Sequence, residues 1–226
     1  MTCLLLNGSP RGKNSNSRLI LSWIARGMAK AGTAELQVLD LARVRELDAQ
    51  RAAFFAADEV VLVFPLYTDS MPGLVKAFLE AVGTADPARP GGKRVAFVVQ
   101  SGFPESIHSE AVARYLARLC ARLGWTHAGT LIKGGAESLR LMPAWQTART
   151  RAAFCRAGHE LARDGRFSES LRARLAGPRT FGPWQLRVMR LLMRTGLHNL
   201  YWNGMLKKHK AYGRRFDAPY GVAAPG

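Results

Sequence analysis

The chain has 226 residues, with 33 Lys and Arg against 16 Asp and Glu, and three cysteines. A chain of this length buries about 70% of the surface its unfolded form exposes, so it needs no disulfide or metal staple. Cys3, Cys120 and Cys155 lack any CxxC spacing, and no window reaches the ~20 apolar residues of a membrane span, so a reduced, cytoplasmic protein is expected.

The opening MTCLLLNG has no basic segment ahead of its short apolar run and reads as a strand rather than a leader. Four more β-like runs follow it: ELQVLDL (35–41), EVVLVF (59–64), RVAFVVQ (94–100) and HAGTLIK (127–133). The third and fourth of the five runs are apolar almost throughout, as in strands covered on both faces.

Helical spacing intervenes between them. Leu19, Ile20, Trp23, Ile24 and Met28 form one apolar stripe, and Val112, Tyr115, Leu116, Leu119, Cys120 and Leu123 form another. A shorter helix is expected over 73–82, with Pro72 at its entrance. Strands alternating with helices predict an α/β fold: a doubly wound, five-stranded parallel sheet with helices on both faces.

After Gly134 and Gly135 the pattern changes to a helix from about 145 to 164, then AGPRTFGP and the block WQLRVMRLLMRTGLHNLYWNGMLKKHKAYGRR. Residues 1–165 are therefore read as the α/β domain, and 166–226 as a basic, mainly helical C-terminal extension. Charge follows the same division: residues 1–133 hold 16 Lys/Arg and 11 Asp/Glu, whereas residues 134–226 hold 17 and 5. The later part seeks an anionic neighbour.

Between the first strand and first helix stands NGSPRGKNSNS, residues 7–17, a composition that no packing argument would choose. In a parallel sheet, ligands gather beyond the carboxyl ends of the strands, near the point where strand order reverses. Gly8 and Gly12 permit tight turns, Ser9, Ser15, Ser17 and Asn16 offer donors, and a helix starting near Ser15 aims unpaired N–H groups into the same space. The arrangement suits a phosphate, although the sequence is neither a Walker loop nor GxGxxG. The segment after the third strand, with Leu66, Tyr67, Ser70 and Met71, and the loop QSGFPES after the fourth add flat or apolar groups and free amides, as a planar ring with polar edges requires.

Together, GSPRGKNSNS and PLYTDSMPGLVKAFLE resemble the flavodoxin-like NADPH-dependent FMN reductases and NAD(P)H quinone reductases over residues 1–135. The resemblance implies an FMN-dependent NAD(P)H oxidoreductase that passes a hydride from NADPH or NADH through FMN N5 to a quinone, free flavin or similar small acceptor. It implies that Ser9, Arg11, Ser15, Asn16 and Ser17 hold the FMN phosphate. Pro65, Leu66, Tyr67, Ser70 and Met71 would flank the ribityl chain and isoalloxazine, and Ser101, Gly102 and Phe103 would close the other edge. No metal is expected, the chemistry lies on FMN, Tyr67 is the one candidate for a catalytic side chain, and the family points to a homodimer.

A second class stays open. Arg187, Arg190 and Arg194 share one helical face, beside Trp184, Val188, Leu191, Leu192 and Met193. A basic amphipathic helix of this kind can lie on an anionic membrane surface or an acidic partner, each Lys/Arg contributing about 1 kcal/mol. The alternative is thus a flavin-binding or interaction protein, peripheral to the inner face of a membrane and without NAD(P)H turnover. Nucleic acid is not expected, because no recognised module is present.

Overall fold

The computed structural model describes residues 2–33, 35–83, 93–196 and 199–218, apart from the side chain of Tyr201. These fall into two compact units, Met1–Thr180 and Phe181–Gly226.

In the first unit, β1 (Thr2–Asn7), β2 (Glu35–Asp40), β3 (Glu59–Pro65), β4 (Arg94–Gln100) and β5 (Thr126–Lys133) form one parallel sheet in the order β2-β1-β3-β4-β5. The helices α1 (Asn16–Lys30), α2 (Leu47–Ala56), α3 (Gly73–Gly83), α4 (Ile107–Arg122), α5 (Ala144–Asp164) and α6 (Glu169–Ala176) cover both faces. The expected α/β architecture is therefore the observed one. Strand direction alternates side chains between faces: Cys3, Leu5, Val61, Val63, Ala96 and Val98 meet α1, α5 and α6, whereas Leu4, Leu6, Leu62, Phe64, Phe97 and Val99 meet α2, α3 and α4. Two cores demand apolar residues at every strand position, which is why β3 and β4 read as continuous runs.

On the first face, α1 crosses α5 at backbone distance. A Cβ on Gly27 would fall 1.8 Å from the Cys155 carbonyl oxygen, and one on Gly158 would fall 2.0 Å from that of Ile24. Trp23 and Phe154 stack beside this crossing with ring centroids 6.1 Å apart. The α1 N-terminus is thereby fixed relative to the segment that leads into α5.

The extension read from residue 166 divides. Ser168 caps α6 by accepting from the Leu171 N–H, and Leu171 and Leu175 enter the first core, so α6 belongs to the sheet unit. The second unit holds α7 (Pro183–Arg194) and α8 (Asn199–Lys208), followed by a short turn in which Arg215 lies 4.1 Å from the Tyr212 ring centroid. Pro183 opens α7, where a missing N–H costs nothing, and none of its residues is buried. Among the described residues, no helix is long and apolar enough to cross a membrane.

Candidate functional site

Strand order reverses between β1 and β3: the chain leaves β1 for β2 on one side and returns to β3 on the other. The loop of residues 8–15 sits at the carboxyl end of that divide. Gly8 donates to the Val63 carbonyl at 2.8 Å, and a Cβ there would fall 2.5 Å from Val75 Cγ2, so only glycine lets the chain turn so close to β3. Gly12 makes the next turn with φ +54°.

Asn7 organises the loop from the end of β1. Its Nδ2 donates to the Gly12 carbonyl (2.8 Å) and to Asp40 Oδ1 (2.7 Å), and its Oδ1 accepts from the Ser9 N–H (3.2 Å) and Ser15 Oγ (3.3 Å). Ser15 is the N-cap of α1, accepting from the Arg18 N–H at 3.1 Å while donating to the Gly12 carbonyl at 2.7 Å. Asn16 donates from Nδ2 to the carbonyls of Ala136 (2.7 Å) and Glu137 (3.1 Å), tying α1 to the segment after β5. Ser17 is fully buried and faces Gln100 Nε2 at 3.5 Å, while Ser9 Oγ accepts from the Arg11 N–H at 3.3 Å.

The hydroxyls and the amide predicted here as ligand donors are thus committed in large part to the loop itself. What they hold in place is the start of α1, whose first-turn N–H groups have no intrahelical acceptor. Arg11 stands exposed beside it, with Nη1 3.8 Å from Glu137 Oε1. Asn16 Oδ1 is buried at the same point with no hydrogen-bond partner.

The second loop leaves β3 at Pro65. Pro65 and Leu66 are buried, and the Leu66 N–H donates to the Gln100 carbonyl at 2.7 Å, so these two anchor the loop rather than line its crest. Tyr67 and Ser70 exchange backbone bonds of 2.8 and 3.1 Å around Thr68 (φ 48°) and Asp69 (φ 60°), a tight turn with both central residues left-handed. Tyr67 is exposed at its edge, Ser70 is exposed beyond it, and Met71 is half-buried against the core of α2, α3 and α4.

The third loop leaves β4. Ser101 is buried; its N–H donates to the Lys133 carbonyl (3.0 Å) and its Oγ to that of Phe103 (2.9 Å). Gly102 and Phe103 are exposed. Gly134 packs under this loop so closely that a Cβ would fall 2.5 Å from the Pro104 carbonyl. Burial lowers the affinity of Lys133 for its proton, and its Nζ turns back to the Gly134 carbonyl at 2.5 Å.

His108 joins the second and third loops. Its ring lies 4.5 Å from that of Phe103, with Nδ1 3.7 Å from Asp69 Oδ1 and Nε2 3.9 Å from Glu105 Oε2. Asn7 did not stand out in the sequence; a hydrogen-bonding residue at the last position of β1 was the available signal. That Asp69 and Glu105 flank His108 could not be read there, because two separate loops bring these partners together.

One crest therefore gathers a helix N-terminus, exposed basic groups and two loops with aromatic tips, all at the carboxyl edge of β1, β3 and β4. The chain belongs to the family described as having the flavodoxin-like fold, whose model matches residues 1–153. No curated protein matches the sequence. Among solved structures, an NAD(P)H:quinone oxidoreductase from Methanothermobacter marburgensis is similar at 17% identity and TM-score 0.57, over 71% of this chain and 96% of that one. The FMN-dependent NADH-azoreductase from Bacillus anthracis str. Ames Ancestor, solved in complex with FMN, aligns at 14% identity and TM-score 0.54, over 72% of this chain and all (100%) of that one. An NADPH-quinone reductase from P. pentosaceus gives 18% identity and TM-score 0.55, over 72% and 98% of the respective chains. At such identities the likeness is one of fold.

Proposed function

We propose that this protein is an FMN-dependent NAD(P)H oxidoreductase that delivers electrons to a quinone, free flavin or similar small acceptor. The observation that carries the reading is the juxtaposition at one crest of the α1 N-terminus with the two loops after β3 and β4. The relatives in fold named as quinone reductase and azoreductase support it.

The residues present fit FMN. The first-turn amides of α1 and the Arg11 guanidinium suit a phosphate dianion, since helix N-termini and charge-assisted donors favour anions. The buried, unpartnered Asn16 Oδ1 suits a ribityl hydroxyl, which would supply the missing donor. Tyr67 and Phe103, exposed at the tips of their loops, offer flat surface to a ring system.

When bound, FMN supplies the hydride and electron chemistry that no side chain here provides. The protein binds and orients. Asn7 and the Ser15 cap hold the phosphate loop in one shape, so its donors need no reordering when ligand arrives. Those backbone amides of the loops at 65–71 and 101–105 that are not already bonded within the protein would stabilise negative charge at the ring's pyrimidine edge. His108 stands between Asp69 of one loop and Glu105 of the other, with its ring against Phe103.

The test is the visible spectrum of the protein purified without added cofactor, followed by anaerobic NADPH or NADH. Flavin bands that bleach on addition support the reading, and catalytic turnover with a small quinone would identify the acceptor class. A colourless protein that takes up no FMN refutes it.

A second reading concerns the C-terminal unit by itself. Residues 181–226 carry eight Lys/Arg and one acidic residue. In α7, Trp184, Leu191, Leu192 and Met193 are exposed, and at 100° per residue Arg187, Arg190 and Arg194 fall in a single arc beside them. That combination suits an anionic bilayer surface. Co-sedimentation with phosphatidylglycerol vesicles, absent with phosphatidylcholine and lost when the three arginines become glutamate, supports this contact; equal binding to both lipids, or none, overturns it.

A further inference from the structure

Along the chain, AGPRTFGP has the composition of a linker: it closes α6 and runs up to Phe181, where the second unit begins. Its first residues are nevertheless fastened to α4. Gly177 ends α6 at φ +68° and ψ −155°, a combination essentially confined to glycine, and so turns the chain out of the helix. The Pro178 carbonyl then accepts from the Ser106 N–H at 3.0 Å, and the Arg179 carbonyl from the Ile107 N–H at 3.2 Å. Ser106 shows why α4 needs this help. Its backbone is helical (φ −76°, ψ −17°) rather than extended, and its hydroxyl caps no N–H of the first turn; buried, it donates instead to the Pro178 carbonyl at 3.4 Å, 72 residues away in sequence.

One side-chain pair locks this strap of residues 177–180. Arg179 Nε and Nη2 donate to Glu110 Oε1 and Oε2 at 2.7 and 3.2 Å, a bidentate fork on the first turn of α4. The bond to Arg179 holds the Glu110 carboxyl below its ordinary range, with Arg114 behind it at 3.6 Å. Arg179 is largely exposed, so the pair adds little to the stability of the fold. What it fixes is where the strap lies. That place bears on the crest, because the helix start under the strap is also the far end of the loop after β4. A Cβ on Gly177 would fall 4.0 Å from the Pro104 carbonyl oxygen, and His108, one residue past Ile107, carries its ring 4.5 Å from that of Phe103. The near end of the same loop is held from the β5 side, where the Gly135 N–H donates to the Phe103 carbonyl at 2.9 Å.

Resting on the FMN reading, we infer that Arg179 is a positioning residue for FMN: by clasping Glu110 it seats the strap on the start of α4 and so sets the loop after β4 where its unbonded amides and Phe103 meet the ring. Arg179 acts through the loop, not on the ligand. With the clasp open the loop samples more placements, and the cost of ordering it again is subtracted from binding. That cost falls more heavily on the reduced ring, whose negative charge those amides stabilise.

Arg179→Ala in the full chain tests the assignment. In the apoprotein, hydrogen exchange at the Ser106 and Ile107 amides is expected to speed up at least about tenfold, while the urea midpoint stays near that of the parent. The Kd for FMN, read from the quenching of flavin fluorescence, should rise about tenfold, and the two-electron midpoint potential of the bound flavin should fall by about 30 mV if the reduced form loses a further tenfold. Arg179→Lys keeps the charge without the fork and should restore only part of the affinity. Amides that stay protected, an unchanged Kd, full rescue by lysine, or a urea midpoint that falls in step with the affinity each overturn the assignment and leave the oxidoreductase reading standing. A parent protein that takes up no FMN removes that reading and this inference with it, whatever the exchange rates.

Discussion

At the carboxyl end of the sheet, Asn7, Ser9, Ser15, Asn16 and Ser17 are all buried polar side chains, and each has a partner within the loop, along β4 or after β5. At the amino end stands Glu59, the first residue of β3, fully buried with both carboxylate oxygens lacking a hydrogen bond and Arg94 Nη1 3.6 Å away. The two ends bury polar atoms under opposite terms. Neutral groups that satisfy one another cost little, whereas a charge removed from water keeps most of its penalty when its partner is too distant to bond. The molecule responds at the amino end by holding the proton: burial pushes the Glu59 carboxyl up to about 7 against the attraction of Arg94, and raises the neighbouring Cys3 thiol as well. Polar burial at the carboxyl end shapes a site, and at the amino end it only taxes the fold.

The largest expected effect comes from making the carboxyl end resemble the amino end. Asn7→Asp would set a second carboxylate 2.7 Å from Asp40 Oδ1 and leave the Gly12 carbonyl without its donor. A loss of about 3–5 kcal/mol is expected in urea denaturation, with FMN uptake lost alongside. Unaltered stability would mean that the loop is not held by Asn7. The converse change relieves the amino end. The folded-state pKa of Glu59 lies above its ordinary 4.5, so its contribution is full below pH 4.5 and is lost as pH rises towards 7. Glu59→Gln should therefore match the parent near pH 4.5 and exceed it by about 1–2 kcal/mol at pH 8, the attraction of Arg94 being surrendered. Equal denaturation midpoints at pH 8 would sink that account.

Legibility in the sequence follows the same contrast. The five strands could be read because two cores force apolar residues at successive positions, and α1, α4 and α5 because their stripes are strong. Helix α2 was not read: it buries only Gln50 and Phe54, too little to leave a stripe. The extension was drawn from residue 166, whereas α6 packs on the sheet through Leu171 and Leu175, a tertiary fact with no local mark. Within the site, the position of each loop was legible from the strand order, but the division of labour was not. Ser15, Asn16 and Ser17 look alike as donors in one dimension; only the fold shows which of them cap, tether or pack.

The smallest expected effect concerns the loop after β3, where strain rather than charge is stored at the carboxyl end. Thr68 is β-branched yet sits at φ 48°, where a branched Cβ crowds the backbone. Asparagine tolerates that region, and a turn with two left-handed central residues favours it at the first of them. Thr68→Asn should therefore raise stability by about 1 kcal/mol, read as a shift in the urea midpoint. The Tyr67–Ser70 backbone pair that sets the turn uses no side chain of residue 68, so its geometry should persist. If FMN affinity falls while stability rises, the strained threonine is part of what the loop presents to its ligand, and the two ends of the sheet then differ in purpose as well as in chemistry. If stability falls instead, the turn is not left-handed at residue 68.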